Sequence, residues 1–274
     1  MNISSSKQLS NGISIPRLGL GVYKVPDDQV YDTVSNALDL GYRHIDTASF
    51  YGNEEGVGKA VRNSGIPRED IFVTSKVWND DHGYEKALKA FEQSMEKLGF
   101  DYLDLFLIHW PVPEVFPDTW KALEETNKSE HVRAIGVSNF LDHHLEELSK
   151  TASEMPVIDQ IELHPKLLQT STVAYCREHN IAVESWSPLG RAKYLDDPLL
   201  VKMAIKYNKS VAQLIIRWHL ENDFIVIPKS TNASRQKENA DVFDFEIATE
   251  DMNFMNKMNE DFRVGSHPNT IKRF

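Results

Sequence analysis

Short apolar runs rich in β-branched and aromatic residues alternate along the chain with longer stretches whose apolar residues recur at helical spacing. Eight of the short runs read as strands: Gly19–Val22, Arg43–Ile45, Ile71–Ser75, Leu103–Ile108, Ala134–Val137, Val157–Ile161, Ala182–Glu184 and Phe224–Ile227. The intervening pattern predicts helices, among them Asp28–Leu40 stopped by Gly41, Tyr84–Leu98 stopped by Gly99, Thr170–His179, Ser210–Leu220 and Thr249–Asn259. Strand and helix in alternation imply βαβ units and a parallel sheet. Near the start, Lys7–Ile15 carries Asn11-Gly12 between alternating residues, a hairpin signal suited to closing the bottom of a barrel. No internal repeat, linker or low-complexity tract interrupts the series.

Two architectures share that alternation, a doubly wound open sheet and a (β/α)8 TIM barrel. An open sheet that binds a dinucleotide should run its first strand into G-x-G-x-x-G, and Gly19-Leu20-Gly21-Val22-Tyr23-Lys24 lacks the third glycine. The polar residues gather instead at strand ends, as in a barrel. A length of 274 residues suits one complete barrel, so a single domain over residues 1–274 is expected. With 41% hydrophobic residues the chain can fill such a core, and no stretch has the apolar length of a membrane span. The N-terminus lacks a basic start followed by an apolar run, and a lone Cys176 forms no internal disulfide, so a reducing cytoplasm is expected. A net charge of −11 with scattered cations argues against nucleic acid and anionic membranes as partners.

Asp46 follows the second strand, Tyr51 lies in the loop beyond it, Lys76 follows the third strand and His109 ends the fourth. Neighbouring strands lie about 4.8 Å apart, so four such side chains can converge at the C-terminal mouth of a barrel. Carbonyl reduction needs a proton donor at oxygen, and a phenol with a pKa of about 10 is a weak one at neutral pH. A lysine beside it would favour the phenolate, an aspartate would fix that lysine, and a histidine N–H would orient the carbonyl. Taken singly, each has a packing explanation: a core histidine, a buried ion pair, a tyrosine in a loop. Together they divide one task among themselves.

The motifs around these residues, Arg43-His44-Ile45-Asp46-Thr47-Ala48 with Tyr51-Gly52-Asn53-Glu54, Thr74-Ser75-Lys76-Val77-Trp78 and Leu107-Ile108-His109-Trp110-Pro111, resemble those of the aldo-keto reductases. The resemblance continues through Ile135–Phe140, Gln160–Pro165, Ser185–Gly190 and Ile227–Ser230, nearly the whole chain, and is strongest toward bacterial aldehyde and keto-sugar-acid reductases. It implies a catalytic tetrad of Asp46, Tyr51, Lys76 and His109, with Tyr51 as acid in reduction and base in oxidation. It also implies NADPH as cofactor, with NADH possible, lying extended over the barrel mouth. Ser138, Asn139 and Gln160 would hold the carboxamide, Trp186 would stack on the nicotinamide, and Gly21, Val22, Ser187 and Leu189 would touch the cofactor along its length. Lys229, Ser230, Arg235 and Asn239 would take the phosphate on the adenosine ribose, where two cations and a short helix suit an anion.

Tyr23, Trp78 and Trp110 follow strand ends and are expected to line the substrate pocket with His109, whereas Trp120 and Trp218 lie in helical stretches and read as packing. His82, His131, His143, His144, His179 and His267 show no ligand spacing and are expected at the surface, His164 is expected to be structural, and no metal is implied. Two features depart from the family pattern: tryptophan rather than tyrosine at position 186, and the tail from Gly265 to Phe274, too short for a long lid. An open pocket for small aldehydes, dicarbonyls or keto-sugars follows. The expected partner is a small carbonyl compound and the expected state a monomer. Two other readings are an NADPH-binding regulatory barrel with little turnover and a barrel isomerase or lyase that ignores nicotinamides.

Overall fold

A computed structural model describes residues 1–272, so Arg273 and Phe274 of the atypical tail lie outside the described residues. A hairpin, β1 (Ser6–Gln8) and β2 (Ser14–Pro16), precedes eight parallel strands: β3 (Leu20–Gly21), β4 (His44–Asp46), β5 (Phe72–Val77), β6 (Leu105–Ile108), β7 (Ile135–Ser138), β8 (Ile158–Glu162), β9 (Ala182–Trp186) and β10 (Ile225–Val226). Each of the eight pairs with its neighbour in sequence. The ring closes where Leu18 bridges Val226, with Gly19 N–H donating to the Val226 carbonyl and Val226 N–H to that of Arg17, both at 2.9 Å. The result is a (β/α)8 barrel.

The outer layer comprises α1 (Asp27–Asp39), α2 (Glu54–Asn63), α3 (Tyr84–Leu98), α4 (Phe116–Lys128), α5 (Asp142–Ser149), α6 (Thr170–Glu178), α7 (Pro198–Lys206), α8 (Val211–Glu221), α9 (Ala233–Ala240) and α10 (Thr249–Met255). Local chemistry sets their limits. Gly99, at φ 66°, ends α3 in the left-handed region that a Cβ disfavours. Ser210 and Gln213 cap α8 reciprocally, each side chain accepting from the other's backbone N–H at 3.2 and 2.9 Å. The stretch predicted to run helical to Asn259 stops at Met255, after which the Asn256 side chain turns to accept from the Trp218 indole at 2.7 Å.

Strand side chains alternate between two cores, as the pleat requires. Phe72, Leu105, Leu107, Ile158, Ala182 and Ile225 fill the lower barrel, where Leu9 and Ile15 from the hairpin segment join them and plug its base. Val73, Phe106, Ile108, Val137, Ile161 and Val183 face the helices, packing with residues such as the fully buried Trp120 and Trp218. Several strands extend past the predicted ends. Asp46, Lys76, Ser138, Glu162 and Trp186 are strand residues rather than loop residues, and their parity turns them toward the barrel mouth.

Candidate active site

Lys76 is fully buried on β5, one strand from Asp46 on β4. Its Nζ donates to both Asp46 carboxylate oxygens and to the Thr47 carbonyl, each at 2.8 Å, and reaches the Tyr51 hydroxyl at 3.5 Å. Tyr51 ends a single 3-10 turn, Ser49–Tyr51, that is pinned on both sides. Ser49 Oγ donates to the Lys76 carbonyl at 2.9 Å, and buried Asn53 accepts from Thr47 Oγ1 at 2.7 Å while donating to the Val22 and Val25 carbonyls. The His109 ring stands edge-on to the Tyr51 ring, centroids 5.7 Å apart, so the four groups meet at one place.

The electrostatics differ from the sequence expectation in one respect. Burial and then the Asp46 charge hold the Tyr51 phenol well above its ordinary pKa. Lys76 does not dominate, because its ammonium is engaged by Asp46 and contacts the phenol only at the longer distance. Tyr51 is therefore a protonated donor at neutral pH. Burial, with Lys76 nearby, pushes His109 well below the usual imidazole range, so the ring is neutral, and its Nδ1 has no hydrogen-bond partner among the described residues.

Beneath the tetrad lies a buried polar layer. The Gln160 side-chain amide donates to Asp46 Oδ2 at 2.7 Å and to Glu184 Oε2 at 2.8 Å, which turns its oxygen away from both carboxyls. Burial, reinforced by the Asp46 charge, pushes the Glu184 carboxyl up to about 8, and His44 Nε2 lies 3.5 Å from its other oxygen. Asn139, at φ 64°, donates to the His109 carbonyl at 2.9 Å and to Ser138 Oγ at 3.0 Å and accepts from the Trp186 indole at 2.8 Å.

A cavity of about 1020 Å³ opens over this layer. Tyr51, Asp46 and His109 line it, as do Tyr23, Trp78 and Trp110. The wall continues through Gly21, Ser138, Asn139, Gln160, Trp186, Ser187 and Leu189 to Lys229, Ser230, Arg235 and Asn239. Two expected site residues are not on the wall. Lys76 lies behind Tyr51, and Val22, next to Gly21, packs into the core under the helices. Lys229 and Arg235 are exposed at the far end with no carboxylate partner among the described residues, and Asn232 caps α9 beside them by accepting from Arg235 N–H at 3.0 Å.

Other wall residues escaped the sequence reading. Phe50 stacks on Trp78 at 3.7 Å, a position its adjacency to Tyr51 could have suggested, and Arg191 adds a cation in the loop after β9. Gly265, Ser266 and Ile271 bring the short tail to the cavity. His82 and His144, expected at the surface, are buried. His144 Nδ1 accepts the Leu141 N–H at 3.0 Å at the start of α5, and His82 lies close enough to His109 to disfavour its protonation.

The model of the Aldo/keto reductase family matches residues 17–260. A glyoxal reductase of Bacillus subtilis is 49% identical over 271 residues, covering 98% of each chain. A methylglyoxal reductase of Escherichia coli is 43% identical over 265 residues, covering 95% of this chain and 96% of its own. Among solved structures, a mutant of Gox0644 in complex with NADPH superposes with a TM-score of 0.94 at 44% identity, over 98% of this chain and 99% of that one.

Proposed function

We propose, from the premise that this chain belongs to the aldo/keto reductase family, that it reduces aldehydes and ketones to alcohols with NADPH, small dicarbonyls such as glyoxal and methylglyoxal foremost. The observation that carries the reading is the tetrad: a protonated phenol, a neutral imidazole and a carboxylate-held ammonium meeting at the floor of one cavity.

The cavity fits the cofactor. Two cations without acidic partners among the described residues at one end suit the ribose phosphate, and Trp186 with Gln160, both on the cavity wall, suits a nicotinamide at the other. NADPH supplies the hydride that adds to the carbonyl carbon. The protein does the rest. Tyr51 and His109 hold the carbonyl oxygen, and Tyr51 donates its proton to that oxygen. The Lys76 ammonium stabilises the phenolate left behind, and Asp46, bound through both oxygens, keeps that ammonium in place. Ser138, Asn139 and Gln160 would hold the carboxamide, Trp186 would pack on its ring, and Gly21, Ser187 and Leu189 would border the cofactor. Lys229, Ser230, Arg235 and Asn239 would take the phosphate. Phe50, Trp78, Tyr23 and Trp110 form an aromatic rim around the substrate.

The protein is further taken to act as a monomer in the cytoplasm. Among the described residues no helix is long and apolar enough to cross a membrane, and Cys176 is buried and unpaired. The test is NADPH absorbance with purified protein and a panel of carbonyls. Turnover of glyoxal or methylglyoxal with NADPH is expected, and tight NADPH binding without turnover of any carbonyl would overturn the catalytic reading.

A further inference from the structure

Glu162, the last residue of β8, has a carboxylate that the tetrad does not use and that is fully buried. Its two oxygens accept successive backbone N–H groups of the tail, Oε1 from Val264 at 2.6 Å and Oε2 from Gly265 at 2.9 Å. The Arg263 guanidinium stands 3.8 Å from Oε2, and His164 Nε2 lies 3.3 Å from Oε1. Against burial, His164 and the two backbone N–H groups hold the carboxyl below its ordinary range. Burying a carboxylate costs several kcal/mol before compensation, and stability alone would be served as well by an apolar residue.

What the carboxylate holds is specific. Gly265 lies against the outer edge of the Trp186 indole, and a Cβ there would overlap the ring and approach Glu162 Oε2 to 2.9 Å. The indole nitrogen is tied at its other side to Asn139 Oδ1 at 2.8 Å. Trp186 is thus gripped from both sides. The approach to the grip is fixed as well, since Glu260 and Phe262 N–H donate to the Lys166 carbonyl at 3.1 and 3.0 Å. Beyond it, Ser266 lines the cavity and Asn269 Oδ1 meets His143 Nε2 at 3.1 Å.

We infer that Glu162 is a positioning residue: its carboxylate fastens the tail across Trp186, so that the ring stacking on the nicotinamide is set by a strap that only glycine at position 265 lets pass. The inference rests on the proposed NADPH site. It makes the tail a fixed wall of the cofactor pocket.

The experiment is a double-mutant cycle on the full chain, read as NADPH affinity by fluorescence titration. Glu162→Gln keeps the volume but sets an NH2 against a backbone N–H, and Gly265→Ala drives a methyl into the ring. Each is expected to weaken NADPH about tenfold, the scale of one lost hydrogen bond to a charged group. In a Trp186→Phe background, where the smaller ring leaves room, the Gly265→Ala effect should shrink to about twofold or less. Equal weakening in both backgrounds, or none in either, overturns the inference. Hydrogen exchange on the parent protein needs no variant to fold: the Val264 and Gly265 amides should be protected, and free exchange at both overturns it too. A parent that fails to bind NADPH overturns the functional proposal itself, whereas a parent that binds it equally with and without the substitutions overturns the role of Glu162 alone.

Discussion

Replacing Asp46 by asparagine changes one oxygen to an NH2 and removes the carboxylate charge that is ion-paired with Lys76. Asp46 Oδ1 accepts from Lys76, and Oδ2 accepts from both Lys76 and Gln160 at 2.8 and 2.7 Å. Whichever way an asparagine turned, its NH2 would face at least one of these donors. The pair is dry, with side-chain exposures of 0% for Lys76 and 3% for Asp46. Breaking such a pair costs ~3–5 kcal/mol. In a chain of 274 residues, whose unfolding entropy is about 0.58 kcal/mol/K at ~2.1 cal/mol/K per residue, that corresponds to a fall in Tm of roughly 5–9 °C. The catalytic effect has a definite sign. Asp46 is among the groups that raise the Tyr51 pKa, so its loss brings that pKa down. The alkaline decline of carbonyl reduction, which needs the protonated phenol, should then move to lower pH, and alcohol oxidation, which needs the phenolate, should begin at lower pH. Turnover should fall by a factor of about a hundred or more as Lys76 loses its anchor. NADPH absorbance against pH and a thermal melt read both effects. A variant with the parent's turnover, pH profile and Tm would refute the tetrad as described.

Tyr51→Phe removes only the hydroxyl proposed as proton donor, so turnover should drop by roughly 10²–10⁴ while NADPH titration gives an affinity close to the parent's; full activity would reassign the acid. Lys229→Ala with Arg235→Ala should weaken NADPH by at least about tenfold and NADH little, as charge-assisted bonds to one phosphate are worth ~1.5–3 kcal/mol each, and equal loss of both cofactors would refute the phosphate site. Glu184 gives a test by pH. Its folded pKa of about 8 lies above the unfolded value, so from about pH 4.5 to 8 the folded state holds a proton that the unfolded chain has lost. This group's contribution to stability is full below that window and declines as pH rises through it. Glu184→Gln should flatten the Tm difference across the window, and melts that stay parallel at every pH would show that Glu184 is ionised in the fold.

Polarity and parity carried different parts of the information in the sequence. The purely apolar runs were legible as strands because both faces of a parallel barrel strand are buried. The same criterion cut strands short wherever they became polar, and Asp46, Ser138, Glu162 and Trp186 were assigned to loops although they end β4, β7, β8 and β9. They stay in the ladder because backbone pairing ignores side-chain polarity: Ser138 pairs with Gln160, and Glu162 with Trp186. Period-two alternation could have corrected the reading. With Ile45 packed under the helices, His44 and Asp46 must point into the barrel, and with Ile161 outside, Gln160 and Glu162 must as well. The same rule separates Gly21, which borders the cavity, from Val22, which does not, although a family resemblance treats the pair alike. It would also have flagged Glu184, an acidic residue between Val183 and Ser185 on a strand with no wet face. The tail's part was not legible at all, since nothing in Arg263-Val264-Gly265 indicates a buried carboxylate about a hundred residues earlier that accepts its amides. Where a local pattern breaks inside a strand whose neighbours obey it, the polar residue is held by partners distant in sequence, and in this barrel those partners line or support the candidate site.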